Sequence, residues 1–126
     1  MNYSISSLSR LLEVEVSGAV TKAGILEFWE SLEAHPAYPA AVGALVRLAS
    51  GMSWDLTQEE ARRLGADVQR LRPLRWAIVS PDLLSFGMSR MLATLAEGAG
   101  TYHIFDCEET ARKWLSASLN EDPLIR

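Results

Sequence analysis

Two short runs, "AVGALVRLAS" (residues 41–50) and "RWAIVS" (75–80), are apolar for nearly their whole length, and "GTYHIF" (100–105) reads as a third of the series. Runs this short and this apolar suit strands covered on both faces, as in sheets whose parallel strands are joined through helices. Each run is followed by a segment with helical spacing. Strand then helix, repeated, implies right-handed crossovers within one sheet. That alternation constrains the fold more than any other feature of the chain.

The N-terminal part adds a different signal. In "LLEVEVSG" Leu12, Val14 and Val16 face one way while Glu13 and Glu15 face the other, the period-2 pattern of a half-buried strand. Tyr3 and Ile5 alternate in the same manner just before it, and "SLSR" is short enough to join the two runs as an antiparallel hairpin. The expected order is therefore β-β-α-β-α-β-α-β-α: an α/β fold with a single mixed sheet and helices packed on it, residues 1–126 forming one domain. The 126 residues suffice for a core without disulfides or metal.

Helix boundaries are marked by caps. Thr21 is an N-cap, with Val20 placed to staple against Ile25, and Ile25, Phe28, Trp29 and Leu32 form the apolar stripe that Pro36 ends. Thr57 and Glu60 make a capping box ahead of Ala61, Leu64, Val68 and Leu71. Pro81 opens the third helix at or near its first turn. Asp106 with Glu109 resembles a capping box at the start of the last helix.

Four segments resemble the SpoIIAA-like family of small bacterial proteins in the STAS superfamily: "VSGAVTKAGILEFWESLEAHPAY", "LVRL", "RWAIVSPDLLSFGMSRM" and "HIFDCEETARKWL". The resemblance implies a small mixed sheet with packed helices and no established enzyme activity. The wider superfamily includes anti-sigma-factor antagonists switched by serine phosphorylation, and the family is compared with CRAL-TRIO-type lipid-binding domains. Two features depart from the pattern. Arg47 stands where members carry an acidic residue, and "SGMSWDLT" replaces the phosphorylated "DSSG"-type motif.

Candidate chemistry is sparse. His35, His103 and Cys107 show no spacing for a metal site or a triad, so no catalytic, metal or cofactor residue is expected. The net charge of −4 disfavours nucleic acid, and no apolar run is long enough to span a bilayer. A single cysteine, with no signal-like start, fits a cytoplasmic protein. Arg47 near the end of an apolar strand is costly unless paired, with Asp82 or Asp55 as the expected partner. Its functional alternative is an anion site at a pocket mouth. Ser53 lies near a helix start, where a phosphate would be welcome.

The third helix carries the remaining signal. Leu84, Met88, Met91, Leu92 and Leu95 cluster on one face, expected to be core. Ser85, Ser89 and Arg90 fall opposite, together with Phe86, and Phe86 and Arg90 are an aromatic–arginine pair four residues apart. The expectation is a non-enzymatic interaction module, a homodimer with a regulatory protein partner, using this helix and the Gly51–Thr57 loop. The alternative is a binder of a small apolar or lipid-like ligand, with Met88, Trp54 and Phe86 lining a cleft and Arg47 at its mouth.

Overall fold

The computed structural model describes residues 1–67, 71, 74–95 and 100–120. β1 (Asn2–Leu8) and β2 (Leu11–Ser17) form the antiparallel hairpin. Ser9 turns it with a φ of 58°, the left-handed conformation that two-residue hairpin loops use. β3 (Ala19–Thr21) leads into α1 (Lys22–Ala34), and β4 (Gly43–Leu48) into β5 (Ser53–Asp55) and α2 (Gln58–Asp67). β6 (Leu74–Val79), α3 (Leu83–Leu95), β7 (Gly100–Phe105) and α4 (Glu108–Asn120) follow.

The main sheet runs β1-β2-β4-β6-β7, antiparallel in its first pair and parallel in the rest. Every parallel crossover steps one strand in the same direction, so right-handed connections put α1, α2 and α3 on one face. The packing agrees. Leu12, Val14, Val16, Ala44, Val46 and Trp76 join one core with Ile25, Phe28, Trp29 and Leu32 of α1 and Leu64 of α2. On the outer face Leu45 and Ala77 form a smaller core with Ala111 and Leu115 of α4.

The second, two-stranded parallel sheet of β3 and β5 was not anticipated from sequence. Three residues per strand are too few to show a period. This sheet places Val20 beside Trp54 just above the end of the main sheet.

The capping chemistry is mostly as expected. Thr21 Oγ1 accepts from Gly24 N–H at 3.0 Å, and Val20 and Ile25 are both buried. Thr57 and Glu60 satisfy each other's backbone N–H at 3.0 and 3.1 Å. Two caps are corrected. α3 is capped by Asp82, whose carboxylate accepts from Ser85 N–H at 2.8 Å, so Pro81 lies before the helix. α4 begins at Glu108, which moves the N-cap from Asp106 to Cys107.

The expected α2 stripe holds for Ala61 and Leu64; Leu71 is buried beyond the helix end, and Val68 lies outside the described residues. Among the described residues no helix is long and apolar enough to cross a membrane.

Candidate functional site

The inner face of the sheet does not meet its helices everywhere. Between them lies a cavity of about 140 Å³, and its wall is almost wholly apolar. Trp29 of α1, Trp54 of β5 and Trp76 of β6 contribute three indoles, and Tyr102 of β7 a phenol. Trp76 and Tyr102 stack, their rings 5° from parallel and their centroids 5.7 Å apart. Burial, with the nearby Tyr38 as a smaller cause, pushes the Tyr102 pKa up to about 12. Its hydroxyl is therefore a neutral hydrogen-bonding group throughout the physiological range.

Ser89 is the other hydroxyl in the wall, and its position corrects the orientation expected for α3. Ser85 and Ser89 are buried, at 0% and 4% exposure. They were expected on the outer face. Met88 and Met91 are half-buried instead, and the side chains of Leu84, Leu92 and Leu95 lie outside those described. The physical reason is the neighbour. α3 packs on α2, whose buried face carries the small residues Ala61 and Gly65. Small residues facing inward on both helices allow close backbone approach. The Ser85 hydroxyl is not wasted: Trp54 Nε1–H donates to it at 2.9 Å. That bond ties the cavity's β5 wall to α3.

A second tether acts at the N-terminus of α3. Asp82 accepts from Gly51 N–H at 3.4 Å in addition to Ser85 N–H. The Ser85 backbone bond holds the Asp82 carboxyl below its ordinary range, with the Ser85 hydroxyl and Gly51 adding to it. Gly51, at φ +70°, supplies the turn that swings the chain from β4 into β5.

Arg47 does not reach the cavity, and neither Asp82 nor Asp55 pairs with it. β4 alternates, and Arg47 falls on the outer face beside Glu15 in register. There it donates to Glu13 and Glu15, each at 3.1 Å, and to Glu108 at 3.5 Å. Arg112 of α4 closes the ring, donating to Glu13 at 2.9 Å and Glu108 at 2.7 Å. The Glu13 carboxyl is held below its ordinary pKa, first by the Arg112 hydrogen bond and then by Arg112 and Arg47 charge, against the opposing effect of burial. The ring joins β2, β4 and α4, with both guanidiniums paired to carboxylates. Sequence reasoning missed Glu13 and Arg112. The signal was present in Glu13 alternating onto the same face as Leu11, where α4 covers it.

The other candidates are dispersed. Trp54 is in the cavity wall; Phe86 and Met88 are half-buried on α3 and absent from that wall. Arg90 is exposed and has a partner of its own. Ser53 is exposed at the start of β5, ahead of α2, and its N–H donates to Gly18 O at 3.2 Å. His35 Nδ1 accepts from Ala37 N–H at 3.1 Å, turning the chain out of α1. His103 stacks on Trp114 of the outer face, with centroids 4.6 Å apart.

No protein-family model and no curated protein matches this sequence. Among solved structures, the chain is similar to an uncharacterised protein of the DUF3478 family from Shewanella loihica PV-4, described as having a SpoIIAA-like fold. The two share 19% identity over 90% of this chain and 93% of that one, with a TM-score of 0.54. The mixed five-stranded sheet with its four helices is a SpoIIAA-like fold.

Proposed function

We propose that this chain is a non-enzymatic binding module that holds a small apolar ligand between its sheet and helices α1 to α3. The observation that carries this reading is the cavity of about 140 Å³ lined by Trp29, Trp54, Trp76 and Tyr102. An enclosed apolar cavity of roughly 150 Å³ takes a benzene-sized guest, and this one is of similar volume but partly open to solvent. The space therefore suits one ring or the end of an acyl chain. Ser89 and Tyr102 supply the few polar groups that orient a ligand in an otherwise apolar pocket. The α3 wall is held by the Trp54–Ser85 bond and the Asp82–Gly51 bond, the two links a larger guest would have to loosen. A cytoplasmic location belongs to the same proposal and is supported by the single cysteine.

Three of the four tryptophans line the cavity, while Trp114 sits on the opposite face of the sheet. That division gives the test. In two-dimensional NMR of the indole N–H groups, benzene or decanoate should shift the Trp29, Trp54 and Trp76 signals and leave Trp114 in place. Four unmoved signals, or four equally moved, would end the proposal.

A regulatory protein partner reading α3 is the second interpretation. It is favoured by Gly87, which is exposed beside Phe86 with nothing within 4 Å of where a side chain would stand. Phe86→Ala would then weaken that association by about 1–3 kcal/mol.

A further inference from the structure

β1 is an edge strand: among the described residues it pairs with β2 alone. Hydrogen bonds on the far side of β2 fix the direction of its backbone groups. Arg10 O accepts from Val42 N–H, and Val16 O accepts from Ala49 N–H, so the even-numbered residues of this stretch face β4. Backbone groups alternate in direction along a strand. Leu11, Glu13, Glu15 and Ser17 therefore face β1, opposite Leu8, Ser6, Ser4 and Asn2. Tyr3, Ile5 and Ser7 are left with their N–H and C=O groups pointing away from the sheet.

This edge is both firm and unguarded. Tyr3 Oη is hydrogen-bonded to Ser31 Oγ at 2.7 Å, and its ring meets Phe28 edge-on with centroids 5.3 Å apart, so α1 anchors the strand from behind. The register with β2 is unbroken from Asn2 to Leu8, with no bulge. Natural edge strands are commonly protected by lysine, proline, a bulge or short length. "NYSISSL" contains no charge and no proline.

We propose that a second copy of this chain docks on this edge, β1 against β1, antiparallel about a two-fold axis at Ile5. In that register Ile5 lies opposite the partner's Ile5, and Tyr3 opposite the partner's Ser7. Each opposed pair exchanges an N–H···O=C bond in both directions, so the outward groups of both strands are all used. On the outer face Ser4 meets the partner's Ser6 and Asn2 meets the partner's Leu8. Leu8, at 62% exposure, gains cover. No ionised side chain of either strand meets another, although each chain carries a net charge of −4. A one-residue slip would turn the inner faces of the two sheets to opposite sides. The strand's neutral chemistry complements itself and offers nothing to a charged peptide, which favours a second copy as the occupant. The product is one continuous sheet across two protomers, an isologous dimer.

Sedimentation velocity on the full chain over the micromolar range tests this. The mass should rise from 13.9 kDa to twice that value. Ser7→Pro removes an outward N–H that β2 does not use and should raise the dimer dissociation constant roughly tenfold or more, with the circular dichroism unchanged. A second pair of variants decides the register even if that proline disturbs folding. Ser4→Lys with Ser6→Lys sets lysine against lysine and should leave monomers. Ser4→Glu with Ser6→Lys sets opposite charges together and should restore the dimer. A chain that stays monomeric throughout, a dimer indifferent to Ser7→Pro in the folded variant, or equal behaviour of the two charge variants would overturn the proposal.

Discussion

Neutralising Glu13 should cost more stability than removing any other surface-facing carboxylate of this chain. The Glu13 side chain is 13% exposed, and its Oε1 accepts from Arg47 at 3.1 Å and Arg112 at 2.9 Å, two guanidiniums that are themselves 28% and 37% exposed. A hydrogen bond to a charged group contributes about 1.5–3 kcal/mol when buried, and exposed pairs contribute about 0–1 kcal/mol. The Glu13 pair lies between these limits. Glu13→Gln keeps the shape but leaves two cations side by side, with Glu108 as the remaining carboxylate between them. A loss of about 2–3 kcal/mol at neutral pH is expected. The pH dependence has a definite sign. The folded-state pKa of Glu13 lies below its ordinary value, so its contribution is complete above the ordinary carboxylate range and disappears as pH falls through the folded value. Urea unfolding of the native chain and the variant, at neutral pH and again in acid, measures both. A double-mutant cycle with Arg112→Gln isolates the pair. A neutral-pH loss below about 0.5 kcal/mol, the range of ordinary surface substitutions, or a loss that persists undiminished in acid would refute the reasoning.

Three further predictions follow from single contacts. Trp54→Phe keeps the aromatic wall but strips the hydrogen bond from the buried Ser85 hydroxyl; it should cost about 1–3 kcal/mol in denaturant unfolding, partly recovered by adding Ser85→Ala, and an unchanged midpoint would count against the tether. Gly43→Ala places a methyl 3.0 Å from Leu11 Cδ2, 3.1 Å from Arg75 O and 3.2 Å from Leu115 Cδ2; the backbone oxygen cannot yield, so thermal unfolding should show a loss of about 1–3 kcal/mol. Cys107 is exposed, and the Thr110 side chain and backbone hold its thiol pKa below the ordinary value, outweighing the charge of Glu109; the pH profile of iodoacetamide alkylation should move upward in Thr110→Val, and a stationary profile would remove Thr110 as the cause.

The main-sheet strands and the α1 face were legible because they rest on local periodicity, as was the part of α2 that carries Ala61 and Leu64. Leu12, Val14 and Val16 alternate, and Ile25, Phe28, Trp29 and Leu32 repeat at helical spacing, and all seven are buried. The α3 face was misread because hydrophobicity is a poor guide where close approach decides. Ser85 and Ser89 are inside since a small side chain fits between α3 and its neighbours better than a methionine, and the Ser85 hydroxyl there accepts from Trp54. Arg47 was assigned the wrong partners for a related reason. Its carboxylates come from β2 and from α4, and only the strand order, which spacing does not encode, brings them to one place. The cavity was legible only as a residue, Trp54. Its other walls belong to elements far apart in the chain.

The same strand order also bears on how the protein is made. From β2 to β7 each main-sheet strand lies beside the one synthesised before it, so the sheet can lengthen at one edge as the chain leaves the ribosome. α4 is the exception. Arg112 reaches back 99 residues to Glu13, and Ala111 and Leu115 cover Leu45 and Ala77. Until that helix emerges, Leu45 and Ala77 on the outer surface lack the helix that, among the described residues, covers them. A nascent chain stalled short of Glu108 should therefore pair its strands yet bind chaperone, and release it once α4 is complete.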